Sequence, residues 1–201
     1  MSNLKKSSLA SSGTRLVHRR ELLLQTAGLA SLATASAMLG AGAAWAAPPV
    51  QDDWAQCVNC HMLFFNGFRN NKGRCAAPGQ GAHVGERGDY KKYQVTYDDS
   101  TGPGQGDWRY CRKCSVLFFD GYPEKGVCAG GGGHEAAGYN FFLYHNRQPY
   151  AHEEGNWHYC LKCHALFTTS VTQAGCPADG KGHQTSPSAF RFVVGKKAAT
   201  L

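Results

Sequence analysis

Nine cysteines occupy three slots that recur three times along the chain. Cys57/Cys60, Cys111/Cys114 and Cys160/Cys163 are Cys-x-x-Cys pairs. Cys75, Cys128 and Cys176 follow them after 14, 13 and 12 intervening residues, and His83, His134 and His183 after a further 7, 5 and 6. Two cysteines separated by two residues put both sulfurs around one tight turn, within reach of a single ion. A cysteine and a histidine from a second loop then complete a tetrahedron. Three thiolates and one imidazole are a standard donor set for structural zinc. The spacing predicts three structural zinc sites: Cys57, Cys60, Cys75 and His83; Cys111, Cys114, Cys128 and His134; Cys160, Cys163, Cys176 and His183.

The elements around these residues repeat in step with them. Trp54, Trp108 and Trp157 each stand three residues before a pair, at periods of 54 and 49 residues. Leu63-Phe64, Leu117-Phe118 and Leu166-Phe167 follow the pairs. Each unit closes on an alternating aromatic or β-branched run at 93–97, 139–144 and 190–193. Asn66-Gly67 and Asp120-Gly121 predict tight hairpin turns with positive φ at both residues. Thr168-Thr169-Ser170 replaces that signal in the third unit, so its turn must differ. No 3.6-residue apolar period follows the leader. The expected fold is mostly β: three tandem zinc-stapled β-hairpin repeats at about 52–99, 106–146 and 155–195. The short connectors favour a pseudo-threefold, trefoil-like packing over independent beads.

A unit of this size buries too little apolar surface to be secure alone. Structural zinc contributes about 10–16 kcal/mol in small peptides, so three ions would dominate the stability. Each tryptophan is expected to pack over its metal turn. A sharper alternative makes Phe65, Phe68, Phe119 and Tyr122 stacking platforms for sugars or peptides, confined to the first two units.

The chain has 201 residues, with 25 glycines and only 17% charged residues, which suits a turn-rich β protein better than a helical bundle. Its net charge of +7 is misleading. Lys5, Lys6, Arg15, Arg19 and Arg20 form a basic leader with one acid, Glu21, and no charge follows between Leu22 and Gln51. That stretch ends in Ala44-Trp45-Ala46, a small-x-small cleavage pattern. Arg19-Arg20-Glu21-Leu22-Leu23 resembles the twin-arginine export signature, with His18 where Ser or Thr is preferred. Residues 1–46 therefore read as a signal peptide with a signal helix, exported by the twin-arginine translocase and removed. The mature domain is 47–201, periplasmic or secreted, with no permanent membrane span. An uncleaved anchor is the alternative. Without the leader, 16 basic and 13 acidic residues remain, a net of +3. Three sites of three thiolates and one divalent cation bring that to about zero, which excludes a nucleic-acid partner as an expectation.

Other readings of the cysteines are weaker. Cys57-Val58-Asn59-Cys60-His61 and Cys160-Leu161-Lys162-Cys163-His164 match the haem-attachment motif. The second unit, however, has Ser115 in the axial position, and the third cysteines and distal histidines would go unexplained. Three cysteines cannot all pair within a unit, and nine leave one over in the chain. His134-Glu135 and His152-Glu153 open H-E-x-x-H but end in Gly138 and Asn156. Asp52-Asp53 and Glu153-Glu154 read as solvated connectors, and His61 and His164 as lying at the surface or behind a ligand.

The pattern Trp-x-x-Cys-x-x-Cys-x-x-Leu-Phe-Phe, then a cysteine, a Gly-rich stretch and a histidine, resembles repeats of secreted bacterial proteins of uncharacterised function. It runs from Trp54 to about Val194 and departs in the third unit after Leu166-Phe167. The resemblance implies a β-rich repeated module and no established activity. The expected function is non-enzymatic: an exported, zinc-stabilised binding or structural module of the cell envelope, with a glycan, peptide or protein as partner. The alternatives are a periplasmic metal-handling protein and a c-type cytochrome.

Overall fold

A computed structural model describes residues 47–86, 92–98, 101–168 and 175–197. The signal-peptide expectation for 1–46, its helix included, falls outside the described residues, as do Thr169 and Ser170 of the third turn. Nine strands are present, and no α-helix occurs among the described residues. They are β1 (Val50–Gln56), β2 (Leu63–Phe65), β3 (Lys92–Thr96), β4 (Gly104–Cys111), β5 (Leu117–Phe119), β6 (Ala136–His145), β7 (Glu153–Tyr159), β8 (Leu166–Thr168) and β9 (Phe192–Lys196).

Each repeat is a three-stranded antiparallel sheet with its first strand in the centre. β1 pairs with β2 and β3, β4 with β5 and β6, and β7 with β8 and β9. Two rings join the units. In one, the short strands meet through bridges between Phe64 and Val116, Phe118 and Ala165, and Met62 and Phe167. In the other, β9 pairs with both β3 and β6, and Tyr97 bridges to Phe141. The connections run from unit 1 to 2, 2 to 3 and 3 to 1, so the trefoil-like expectation holds.

Two apolar layers follow from strand alternation. Phe64, Phe118 and Phe167 join the nine cysteines in one core, while Leu63, Leu117 and Leu166 join the three tryptophans in the other. The tryptophans do not cover the thiolates. Each is fully buried and lies edge-on against the next unit: Trp54 on Phe141 at 5.2 Å, Trp108 on Phe192 at 5.0 Å, Trp157 on Tyr93 at 5.2 Å. They weld the units together; the metal layer lies elsewhere.

What aims them is a bulge. Strand register slips just before each tryptophan, and Asp53, Asp107 and Asn156 take φ of 67°, 60° and 65°. Asp and Asn tolerate this left-handed region better than other side chains, and the extra residue turns the next one inward. Asp53 is therefore part of a bulge and no mere connector. Glu153, another of the four acids read as connectors, lies in β7 and takes both ends of Arg147, at 2.6 and 2.7 Å.

The hairpin turn is also displaced from its expected place. None of Asn66, Gly67, Asp120 and Gly121 has positive φ. The turn from β1 to β2 is the Cys-x-x-Cys segment itself, closed by Cys57 N–H to Met62 O (3.0 Å) and His61 N–H to Cys57 O (2.9 Å). Fold and ligand pair are thus one device.

Candidate metal centres

The three predicted quartets assemble as three buried clusters, with the ligand atoms of each within 4.8 Å of one another. Two sulfurs come from the hairpin turn, and the third sulfur and the imidazole from the loop that follows β2, β5 or β8. The sulfurs of Cys57 and Cys75 are 3.8 Å apart, those of Cys111 and Cys128 3.8 Å, and those of Cys160 and Cys176 3.9 Å. Tetrahedral zinc with Zn–S near 2.3 Å demands an edge of about 3.8 Å. A disulfide would need roughly 2.05 Å, and all nine cysteines are free thiols. In each cluster the Nδ1 atom of the histidine, His83, His134 or His183, lies 3.4 Å from the second sulfur of its pair. The donor set and its spacing fit a thiophilic divalent ion.

The protonation balance points the same way. Hydrogen bonds from their pair partners Cys60, Cys114 and Cys163 hold the thiols of Cys57, Cys111 and Cys160 far below the ordinary range. The partner sulfurs are pushed up, by burial at Cys60 and Cys163 and by hydrogen bonding to Cys111 at Cys114. Cys75 and Cys176 are pushed up to about 11, chiefly by their bonds to Cys57 and Cys160. Burial lowers His134, but Cys111 and Cys128 outweigh it and raise the imidazole to about 9. Three sulfurs within 4.8 Å of one another cannot all ionise without a cation among them, and a divalent ion supplies it.

The histidines link the clusters in a ring. Nε2 of His83 donates to the Cys114 carbonyl at 2.9 Å, that of His134 to Cys163 at 2.9 Å, and that of His183 to Cys60 at 3.1 Å. A carbonyl can only accept, so Nε2 carries a proton and Nδ1 is the atom turned to the sulfurs, where an ion would displace any proton it holds. Phe64, Phe118 and Phe167 stack on the same three imidazoles at 4.8, 4.6 and 4.7 Å. Each ligand histidine is thus fixed by its own strand and by the ligand turn of the next unit.

A second ring runs beside it. Phe65 N–H donates to Ser115 O at 2.8 Å, Phe119 N–H to His164 O at 3.0 Å, and Thr168 N–H to His61 O at 3.1 Å. The accepting residues, one after the second cysteine, have φ of 58° at His61, 65° at Ser115 and 63° at His164. This explains the haem-like motif. The position requires a left-handed backbone, in which His is enriched, and Ser115 serves as well. His61 Nδ1 accepts from Gln56 at 3.2 Å, and both cysteines of every pair belong to a cluster. Glu135 of the first H-E-x-x-H opening is engaged by Arg112 and Lys113 at the surface.

Two supporting features escaped the sequence reading. Gly73 and Gly126 have φ of 65° and 62°, and a Cβ there would collide with the backbone of Cys114 and Cys163 in the next unit. Each stands two residues before a third cysteine. The Asp or Asn before each tryptophan was equally visible.

No family model matches the chain, no curated protein matches it, and no solved structure matches it.

Proposed function

We propose that the protein is an exported, non-enzymatic binding module of the cell envelope whose shape is held by three zinc ions. The observation that carries this reading is the repetition of one buried three-sulfur, one-imidazole cluster in all three units. Four protein donors complete a tetrahedron and leave no position for a water or substrate, which suits structural more than catalytic zinc. Every thiol is buried, which suits retention more than transfer of a metal cargo.

Export rests on the leader: two arginines, an uncharged Ala/Gly/Leu-rich stretch and Ala44-Trp45-Ala46. The twin-arginine route carries folded proteins, so zinc loaded in a reducing cytoplasm would protect nine thiols from oxidation outside. Among the described residues no helix is long and apolar enough to cross a membrane. Kinship with the secreted bacterial repeat proteins is part of the same proposal, on the Trp-x-x-Cys-x-x-Cys-x-x-Leu-Phe pattern.

Native mass spectrometry with elemental analysis of the exported chain tests the reading. The expected result is three zinc ions per chain and a mass beginning near Ala47. A metal-free chain of native fold, or a Soret band, would sink it.

A further inference from the structure

The pseudo-threefold arrangement generates clefts between units, and two of them are lined by aromatic rings. The first is formed by Gln51, Phe65 and Phe68 of unit 1 with Tyr110, Tyr139 and Phe141 of unit 2, and holds about 250 Å³. The second repeats it one unit on, with Gln105, Phe119, Tyr122, Tyr159, Phe190 and Phe192, and holds about 200 Å³. Every residue of the first has its counterpart in the second at the same place in the repeat. At the third junction Glu154, Thr168 and Gln56 stand at three of the six corresponding positions, Val171 and Lys91 at two more, and Tyr93 alone keeps a ring. The aromatic character is therefore not imposed by the fold.

We propose that these two clefts each seat a neutral hexose ring, so that the protein holds an uncharged polysaccharide at two points. The inference rests on the reading of the chain as a binding module and names its ligand class. Four rings are left 41–50% exposed at the rims: Phe68, Tyr122, Tyr139 and Phe190. They are nonetheless held in place. Phe68 lies edge-on to Phe65 at 5.1 Å and Tyr122 to Phe119 at 5.0 Å. Tyr139 is stacked on Tyr97 at 4.0 Å and Phe190 on His145 at 3.9 Å. Gly67 and Gly121 make this possible, because a Cβ at either would run into the ring of Phe65 or Phe119. The Asn-Gly and Asp-Gly signals thus fold the chain back across a ring, setting the next aromatic at the rim. Exposed rings already fixed lose little freedom when a ligand stacks on them.

The chemistry of the lining selects the ligand. Among the described residues no Lys, Arg, Asp or Glu lines either cleft. The polar groups are a glutamine amide and phenol hydroxyls, with Ser186 and Ser188 added in the second cleft. A hexose offers an apolar C–H face to a ring and hydroxyls to amides and phenols, and carries no charge. The volumes fall below the roughly 300–1,000 Å³ of drug-sized sites, as one sugar ring requires. An extended peptide is less suited, because the short strands already bridge the next unit and offer it no free edge. Two like sites on one rigid body match a ligand that repeats its own unit, and the second contact is then intramolecular.

The test is calorimetric titration of the metal-loaded mature chain with laminaritetraose, cellotetraose and maltotetraose, and with the polymer of each series. The expected result is weak binding of at least one tetrasaccharide and at least ~10-fold tighter binding of its polymer. Phe68→Ala or Tyr122→Ala should reduce the polymer to tetrasaccharide affinity, and the double variant should abolish binding. All variants should keep three metal ions and the wild-type melt. Failure of the metal-loaded protein to bind any of these glucans overturns the proposal, as does full binding by the double variant, or tighter binding of polygalacturonate titrated beside them as the anionic polymer. In those cases three retained ions leave the metal-stabilised module standing. A metal-free chain that binds the glucans would do the reverse.

Discussion

The metal layer and the cleft rims obey the same pseudo-threefold operation yet treat it differently. In the metal layer every element occurs three times: the turn, the third sulfur, the imidazole, the ring stacked on it and the bond to the next unit. At the rims the full aromatic set occurs twice, and the third copy keeps Tyr93 but has Thr168, Gln56, Val171 and Lys91 in place of the other rings. A part required for closure cannot vary in one unit without opening the whole ring. A part that closes nothing is free to diverge. Strict repetition therefore marks scaffold, and broken repetition marks the surface where function can differ.

The largest effect that sharpens this contrast is metal removal. Structural zinc is worth about 10–16 kcal/mol per site in peptides, more than the 5–15 kcal/mol that holds a typical domain. Excess EDTA is expected to abolish the cooperative melt followed by circular dichroism; an unchanged melt would break the distinction. Because each ligand histidine leans on the next unit's cysteine carbonyl, release should be concerted. Cys60→Ser, Cys114→Ser or Cys163→Ser removes one sulfur and loosens the turn whose carbonyl holds the neighbouring histidine, and is expected to weaken the remaining ions by roughly 10–100-fold, the usual effect of disturbing a ligand's outer partner. Competition with a chromophoric chelator reads this out, and three independent release steps would count against the ring.

The next effect belongs to the tryptophan layer. Trp54→Ala should cost about 3–5 kcal/mol by leaving a cavity against Phe141, measured by urea unfolding of the metal-loaded chain. Below it comes the Arg147–Glu153 pair. Burial alone would raise Glu153, but Arg147 and the Tyr150 amide outweigh it and hold the carboxyl below its usual range. Its contribution is present above the unfolded carboxyl pKa of about 4.3 and fades as pH falls through the folded value. Glu153→Gln should cost about 1–3 kcal/mol at neutral pH, with the gap to wild type closing below pH 4. The smallest effect is at the rims, where Phe68→Ala and Tyr122→Ala should move stability by no more than about 0.5 kcal/mol.

The ligand quartets and the three-unit plan were legible because metal coordination is local: spacing alone brings two sulfurs around one turn. The strand runs near 93–97 and 139–144 were legible because alternation survives in one dimension. What the sequence did not disclose concerns the third dimension. Asn66-Gly67 looks like a turn, but the chain had already turned at Cys57–Cys60. Here the glycine serves a close approach to Phe65, which only packing reveals. The tryptophans lie on the layer opposite the sulfurs because the Asp53, Asp107 and Asn156 bulges shift register by one, and a one-residue slip changes the face of everything after it. The His-to-carbonyl ring joins residues from different units, and no spacing rule within one unit could predict it.

The bond between His183 and the Cys60 carbonyl spans 123 positions. It ties the third unit back to the first, so the circuit of contacts stays open until all three units are in place. A shortened product would leave one imidazole without its acceptor and one turn without its clasp. Locking of the circuit is in that sense a single event, with the presence of the third unit as its condition.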